Sequence, residues 1–197
     1  MKKTINHALA ASALILLLAG CAGNPTGSSM SGMDHGAMPT GSATASSNHN
    51  AADTMFAQMM IVHHRQAVSM SDTVLAAPGI DSRVTGLAQR IKAAQDPEIE
   101  KMKTMLGTWG EPETMSGSMS MPGMLDESQL AELAGANGVE AAKLFLSQMI
   151  AHHQGAVESA KTELRTGSNP EAVQLAKDII GAQQGEIDEM RLLLAGL

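Results

Sequence analysis

Apolar residues recur every three or four positions along four long stretches of the chain. This spacing matches the turn of an α-helix and predicts four long amphipathic helices. The predicted helices cover residues 53–76, 81–108, 138–165 and 169–195, and a short helix follows Asp126 and ends near Gly135. Asp53 and Asn169 are the predicted N-caps. Turn residues separate the members of each long pair, so each pair is predicted to form a helical hairpin.

The second hairpin repeats the first. In the leading helices the offset is 89 residues, and Phe56, Met60, His63 and Ala67 match Phe145, Met149, His152 and Ala156. In the second helices the offset is 88 residues, and Leu87, Ile91, Gln95, Glu98, Ile99 and Met102 match Leu175, Ile179, Gln183, Glu186, Ile187 and Met190. A repeated pair of long hairpins predicts an all-α fold, a four-helix bundle in which the two leading helices occupy equivalent positions.

Each leading helix carries the motif Met-x-x-His-His, first as Met60, His63 and His64 and again as Met149, His152 and His153. On a helix, the first histidine of each pair shares the inward face with the methionine. The second histidine stands one step around the helix, at the edge of that face. A thioether one helical turn from an imidazole pair, present twice, indicates a site for a soft or borderline metal ion.

The donor atoms predict which metal this is. Di-iron bundles present Glu-x-x-His, with hard carboxylate ligands, where this chain presents Met-x-x-His. Zinc sites usually combine Cys, His and carboxylate and lack Met. Thioethers suit Cu(I), and imidazoles also accept Cu(II). The motif therefore predicts copper, with Cu(I) favoured and Cu(II) accessible, and silver is expected to bind the same sites.

Polar residues interrupt the apolar stripe of the second helix in each hairpin, namely Gln95, Glu98, Gln183 and Glu186. Buried polar groups cost free energy unless they find partners, and the imidazoles of the neighbouring helix are the natural ones. Glu98 and Glu186 are therefore predicted to orient imidazoles whose other nitrogen binds the metal. The imidazoles expected to contact these carboxylates are those of His63 and His152. The alternative is a Glu–His network that only locks the register of the bundle.

A residue with weak helix preference lies beside these polar positions in both hairpins. Pro97 falls between Gln95 and Glu98, and its counterpart is Gly185. Proline removes one hydrogen bond from a helix and frees a carbonyl one turn earlier. We therefore expect a local irregularity of the helix near the polar part of the stripe.

The first 20 residues have the pattern of a bacterial lipoprotein signal peptide. Lys2 and Lys3 precede an apolar run that is too short for a membrane span, and the run ends in a sequence that resembles a lipobox. Cys21, the only cysteine, is predicted to carry the lipid and to anchor the protein to a membrane outside the cytoplasm. Loss of the signal takes the formal charge from −7 to −9, because two Lys and no acidic residue are removed. An acidic chain of this kind argues against nucleic acid as a partner.

Two segments of low complexity are rich in methionine. Residues 21–52 are predicted to form a disordered tether, and residues 111–125 a linker within the bundle domain 53–197, between the hairpin repeats 53–110 and 138–197. Residues in both segments are candidates for loose capture of copper, namely Met33, His35, Met38, Met119, Met121 and Met124. The alternative is that both segments are plain linkers.

The doubled pattern Phe-x3-Met-x2-His-His-x2-Ala, each copy followed by Gln-x2-Glu-Ile-x2-Met, resembles the bacterial family called domain of unknown function 305. The resemblance runs from Asp53 to the C-terminus and includes Met121-Pro-Gly-Met124. It implies a ferritin-like four-helix bundle outside the cytoplasm, in a family with copper-binding members associated with copper resistance. The implied metal ligands are Met60, His63, His64, Met102, Met149, His152, His153 and Met190. Ser159 stands where a methionine is common and where the first half has Met70, which argues against equal metal affinity in the two halves.

The leading hypothesis is a lipid-anchored copper-binding protein of the cell envelope that sequesters copper or hands it on. No catalytic nucleophile or general acid–base pair stands out, so we do not expect an enzyme. One alternative is a ferritin-like metal-dependent oxidase or peroxidase with Glu98 and Glu186 as direct metal ligands. The other is a metal-free helical interaction module whose histidine pairs form only a polar network.

Overall fold

A computed structural model describes residues 48–115 and 121–197, and every regular element in these ranges is a helix. The helices are α1 (Ala51–Ala76), α2 (Ser82–Trp109), α3 (Glu127–Gly135), α4 (Gly138–Thr166) and α5 (Pro170–Ala195). All five lie where the apolar spacing predicts a helix, with ends that differ by one or two residues. The prediction of an all-α, ferritin-like four-helix bundle made of two repeated hairpins is confirmed.

The start of α1 differs from the prediction. Asn50, and not Asp53, is the N-cap, and its side chain accepts hydrogen bonds from the backbone of the first turn. Asp53 lies at the third helical position and bonds back to the Asn50 amide at 2.6 Å, which completes a capping box. The same carboxylate accepts hydrogen bonds from the amides of Ser168 and Asn169. The buried Asp53 therefore joins the start of α1 to the turn between α4 and α5.

The helices α1 and α4 form the centre of the bundle. Within the hairpins α1 packs on α2 and α4 packs on α5, while the hairpins meet mainly through α1 and α4. The short helix α3 packs against both central helices. A hydrogen bond of 2.9 Å from the Gly138 amide to the Pro78 carbonyl holds the turn of the first hairpin against the start of α4.

The core consists of two apolar clusters, one toward each end of the bundle. One cluster contains Phe56 and Met60 from the first half of α1, together with the second half of α4. The other contains Phe145 and Met149 from the first half of α4, together with the second half of α1. The helices α1 and α4 are therefore antiparallel, and the polar residues of the repeat lie between the two clusters.

The expected irregularity at Pro97 does not take the form of a break. The helix α2 is continuous from Ser82 to Trp109, and α5 is equally continuous through Gly185. Packing of a long apolar face on both sides of such a position can outweigh the loss of one helical hydrogen bond. No helix among residues 48–115 and 121–197 is long and apolar enough to cross a membrane.

Candidate metal centre

Four histidines form a buried layer at mid-height of the bundle. His63 and His64 come from α1, His152 and His153 come from α4, and all four side chains have no solvent exposure. We call these four residues the imidazole layer. The expectation that His64 and His153 lie at an edge is wrong. Consecutive helical residues point about 100° apart, so the second histidine of each pair faces the other helix of its own hairpin. His64 is buried against α2 and His153 against α5.

The rings of His63 and His152 stack on each other across the interface between the two hairpins. Their centroids are 3.6 Å apart and their planes are tilted by 33°. The distance between neighbouring histidine rings is nearly the same in the two hairpins. The ring centroids are 6.4 Å apart for His63 and His64 and 6.3 Å apart for His152 and His153. The repeat seen in the sequence is therefore a local twofold arrangement whose axis passes between the stacked rings.

The carboxylates support the outer pair of imidazoles. Glu98 on α2 lies 2.8 Å from Nε2 of His64, and Glu186 on α5 lies 2.7 Å from Nε2 of His153. Both carboxylates are about four-fifths buried, whereas the imidazoles that they contact are wholly buried. The predicted Glu–His contacts are present, but they are made to His64 and His153, and not to His63 and His152. Each carboxylate fixes its imidazole through Nε2 and leaves Nδ1 facing the protein interior.

Most of the remaining polar atoms in this layer lack hydrogen-bond partners. Both ring nitrogens of His63 and His152 and the Nδ1 atoms of His64 and His153 are buried and unpaired. The amide groups of Gln95 and Gln183, predicted to help orient the imidazoles, are buried without partners as well. A buried polar group with no partner costs about 1–3 kcal/mol, so such a concentration is unusual for a layer that serves stability alone.

Burial keeps the central imidazoles neutral. The pKa of His63 is lowered to about 3, mainly by removal from water and then by the neighbouring His64 and His153. The nearby backbone of His152 and Pro122 favours the protonated form but does not offset burial. The pKa of His152 is also lowered well below its usual value, mainly by burial and then by His63. Neutral imidazole is the form that binds a metal ion.

The predicted methionine ligands lie in two groups, one on each side of the imidazole layer. Met60 and Met102 share one apolar cluster, and Met149 and Met190 share the other. All four are fully buried. Within the described part of the chain, no three His, Cys, Asp or Glu side chains converge as a metal site would require. The donor set that the fold offers is therefore imidazole nitrogen with flanking thioether sulfur, which is a soft set.

Residues 121–125 form a strap that covers the imidazole layer beside α4. A Cβ at Gly155 would collide with the carbonyl of Pro122, and a Cβ at Gly123 would collide with the carbonyl of Ala151. The strap therefore needs glycine on both sides of the contact, and Gly123 also has a φ of +84°. Sequence reasoning missed this element, although the mismatch between Gly155 and its repeat equivalent Gln66 was an available signal.

Gln66 holds the far end of the strap to α1. Its side chain accepts a hydrogen bond of 2.8 Å from the amide of Leu125 and donates one of 3.0 Å to the carbonyl of the same residue. Met121 is buried in the cluster around Met60, and Met124 packs against that cluster. These two methionines were expected in a flexible capture segment, and the structure instead packs them on the bundle.

The other predicted capture residues and the lipidation site lie outside the described residues. They are Met33, His35, Met38, Met119 and Cys21. The predicted signal peptide and residues 21–47 of the predicted tether also lie outside the described residues, whereas Ala51 and Ala52 at the end of the predicted tether belong to α1.

Fold and site together define an all-helical bundle of two repeated hairpins around a buried layer of four imidazoles flanked by thioethers. The profile of the family described as Domain of unknown function (DUF305) matches residues 53–194, and the chain belongs to this family. The resemblance drawn from the doubled motif is thus confirmed. No curated protein matches the chain.

Solved structures with the same fold include three informative relatives. A "putative secreted protein DUF305" from Streptomyces coelicolor is 33% identical, with a TM-score of 0.70 over 74% of this chain and 91% of that one. A DUF305 fragment from Deinococcus radiodurans is also 33% identical, with a TM-score of 0.69 over 75% and 98% of the two chains. CopM in its Cu(I)-bound form is 32% identical, with a TM-score of 0.62 over 73% and 96%. CopM has also been solved in Cu(II)-bound, Ag-bound and apo forms.

Proposed function

We propose that this protein binds copper outside the cytoplasm and either sequesters the metal or passes it on. The observation that carries the proposal is the set of six unpaired, buried imidazole nitrogens in one layer. Buried polar groups in folded proteins nearly always have partners. A metal ion would supply the missing partner for several of these nitrogens together, and the low pKa of His63 keeps that ring ready to bind.

The thioethers on each side of the layer favour Cu(I) over harder metal ions. Met60 and Met149 stand one helical turn before His63 and His152, and each belongs to an apolar cluster next to the imidazole layer. Soft sulfur donors select Cu(I), and imidazole also binds Cu(II). Ag(I) would bind the same donors because it is similarly soft. The Cu(I)-, Cu(II)- and Ag-bound forms of the relative CopM support this assignment.

The proposed role is binding and not catalysis. Glu98 and Glu186 bond to the outer imidazoles, and in this proposal they orient candidate ligands and do not bind the metal directly. The proposed ligands are Met60, His63, His64, Met102, Met149, His152, His153 and Met190.

We further propose that the protein is held at a membrane in the cell envelope through a lipid on Cys21. The support is the sequence of residues 1–21, with its paired lysines, short apolar run and lipobox-like end. The description of the Streptomyces coelicolor relative agrees with export. In this location the protein would bind copper before the metal reaches the cytoplasm.

The test is a Cu(I) titration of the untagged mature chain, with Cys21→Ser to avoid the lipid and with a chromophoric chelator as competitor. The double variant His63→Phe/His152→Phe retains two flat rings at the stacking position and removes their nitrogens. We expect the protein with its four histidines intact to take at least one more Cu(I) ion from the chelator than the double variant takes. Circular dichroism checks that both proteins are folded.

Equal Cu(I) binding by the two proteins would overturn the proposal. Metal analysis of the purified chain separates the alternatives. Bound iron together with peroxide-dependent oxidation would indicate an oxidase. Absence of any metal, together with a melting temperature unchanged by Cu(I) or Ag(I), would indicate an interaction module.

A further inference from the structure

The four histidines of the imidazole layer are closed off from solvent, so a metal ion cannot bind them directly from water. His63, His64, His152 and His153 have no solvent exposure, and the methionines Met60 and Met102 next to them are equally buried. An ion that reaches the layer must therefore first meet other groups at the surface. One cleft in the structure leads toward these buried residues.

The cleft has a volume of about 480 Å³ and lies between the first half of α1, the second half of α4 and the strap. Three of its lining residues are methionines, namely Met55, Met59 and Met121. Met55 is 44% exposed, Met59 is partly buried and Met121 is 3% exposed. Met55 and Met59 are one turn apart on α1, so their side chains lie on the same side of the helix. Thioethers thus run from the rim of the cleft to its inner wall.

The inner wall of this cleft is also a wall of the buried core. Phe56 and Met121 line the cleft, and both belong to the apolar cluster that contains Met60 and Met102. Met59 is also adjacent in sequence to Met60. An ion held by the cleft thioethers is therefore separated from the first buried methionines by side chains of one cluster.

The thioethers of the cleft are not a consequence of the internal repeat. The equivalents of Met55 and Met59 on α4 are Leu144 and Gln148, which carry no sulfur. Met55 also does little to fill the core, because it is 44% exposed and nearly half of its surface remains in water. The two methionines thus distinguish one half of the bundle from the other. Met59 also packs against the apolar cluster, whereas packing does not explain the exposed Met55.

We propose that this thioether cleft is a second, outer site for a monovalent soft metal ion, Cu(I) or Ag(I), bound by Met55, Met59 and Met121. The ion exchanges from these ligands to the buried methionines and imidazoles without a change of oxidation state, so no oxidant or reductant is needed. The outer site itself stands on the cleft geometry, and the passage to the imidazole layer rests on the proposed function. A soft, uncharged set of donors favours such ions over Zn²⁺, Ca²⁺ or Mg²⁺.

Ag(I) is the suitable probe, because it does not change oxidation state during a titration. The mature chain with Cys21→Ser and ¹³C-labelled methionine methyl groups is titrated and followed by NMR. The methyl signals of Met55, Met59 and Met121 are expected to shift with one bound Ag(I), and those of Met60 and Met102 with another. The double variant Met55→Leu/Met59→Leu is expected to lose the first ion only. Met115→Leu, a partly exposed methionine outside the cleft, is the matched control and is expected to retain both.

The outer site would be overturned if the signals of Met55 and Met59 in the parent protein did not shift on addition of Ag(I). It would also be overturned if the folded double variant bound as many Ag(I) ions as the parent protein. These results leave the proposed function standing if the methyl signals of Met60 and Met102 still shift. Conversely, shifts at the cleft with none at Met60 or Met102 would overturn the proposed buried site and retain the outer one. The wild-type signals decide the question even if the double variant fails to fold.

Discussion

His63 and His152 come from different halves of the repeat, and their rings stack with centroids 3.6 Å apart at the centre of the bundle. Neither ring has a hydrogen-bond partner, and both are kept neutral by burial. A purely structural pair at this position would be better served by two apolar rings, which have no polar atoms to leave unpaired. The unpaired nitrogens of the stacked imidazoles therefore support the proposed metal site, and the two rings lie on the twofold axis between two sets of thioethers.

Glu98 is predicted to matter for metal affinity through His64. The change Glu98→Gln retains a hydrogen-bonding group at 2.8 Å from Nε2 of His64 but removes the negative charge that makes the imidazole a stronger donor. We expect a loss of roughly 10- to 100-fold in Cu(I) affinity, as is usual for groups that orient metal ligands. Competition titration gives the measurement.

The matched control for this change is Glu100→Gln on the same helix, because Glu100 is exposed and pairs with Lys103 and not with an imidazole of the layer. Its effect on Cu(I) affinity is expected to be negligible. Equal losses in the two variants would mean that the effect comes from overall charge and not from the contact with His64.

Much of this site follows from periodicity and repetition. The spacing of apolar residues predicts all five helices, and the match of Phe56, Met60 and His63 to the second half predicts the twofold relationship. The inward position of His63 follows from the stripe that it shares with Met60. These features are local, so they depend on the helix geometry of a single segment.

The features that sequence reasoning missed depend on contacts between distant segments. Burial of His64 follows from the position of α2 against α1, which the stripe of α1 alone does not specify. The strap has the composition of a flexible linker, and Met121 becomes buried only because Gly155 on another helix leaves room for the Pro122 carbonyl. The composition of a segment describes only that segment, whereas the packing of the strap depends on the absence of a side chain at Gly155 in α4.

Bound metal is predicted to stabilise the fold. A ligand that binds only the folded state adds about 2.7 kcal/mol at a free concentration of 100 times its dissociation constant. Since 1 kcal/mol corresponds to roughly 2–4 °C in a chain of this size, we expect Ag(I) to raise the melting temperature by several degrees. The variant His63→Phe/His152→Phe should show a much smaller rise in the same thermal scan. An equal rise in both proteins would place the stabilising ion away from the stacked rings.

Gly155→Ala is predicted to displace the strap. In a helix this change normally stabilises by about 0.4–1 kcal/mol, but at Gly155 the new methyl group would collide with the Pro122 carbonyl. We expect a lower free energy of unfolding and faster reaction of the layer histidines with an imidazole-modifying reagent. Gly181→Ala on α5 is the control, because nothing lies within 4 Å of its Cβ position. Stabilisation by both substitutions would show that the strap does not cover the layer in solution.

Glu163 is predicted to make the free energy of unfolding fall as pH rises. The pKa of this carboxyl is raised from 4.5 to about 8, mainly by burial and then by the hydrogen bond and the negative charge of Asp53. The pKa of Asp53 is lowered because hydrogen bonds from Glu163 and from the amides of Asn169 and Asn50 outweigh its burial. At neutral pH the folded chain therefore keeps a proton on Glu163, whereas Asp53, which accepts hydrogen bonds from the amides of Ser168 and Asn169, is ionised.

The pH window follows from the two states of Glu163. Between pH 4.5 and about 8 the unfolded chain has released this proton while the folded chain retains it, so stability from this group is complete below 4.5 and declines until about 8. Glu163→Gln keeps an N–H donor for Asp53 and cannot ionise, so its decline over the window should be smaller. Urea unfolding at pH 5, 7 and 9 measures the difference. Glu158→Gln, an exposed change on the same helix, should follow the parent protein. Parallel curves for Glu163→Gln and the parent would contradict a proton retained on Glu163 in the folded chain.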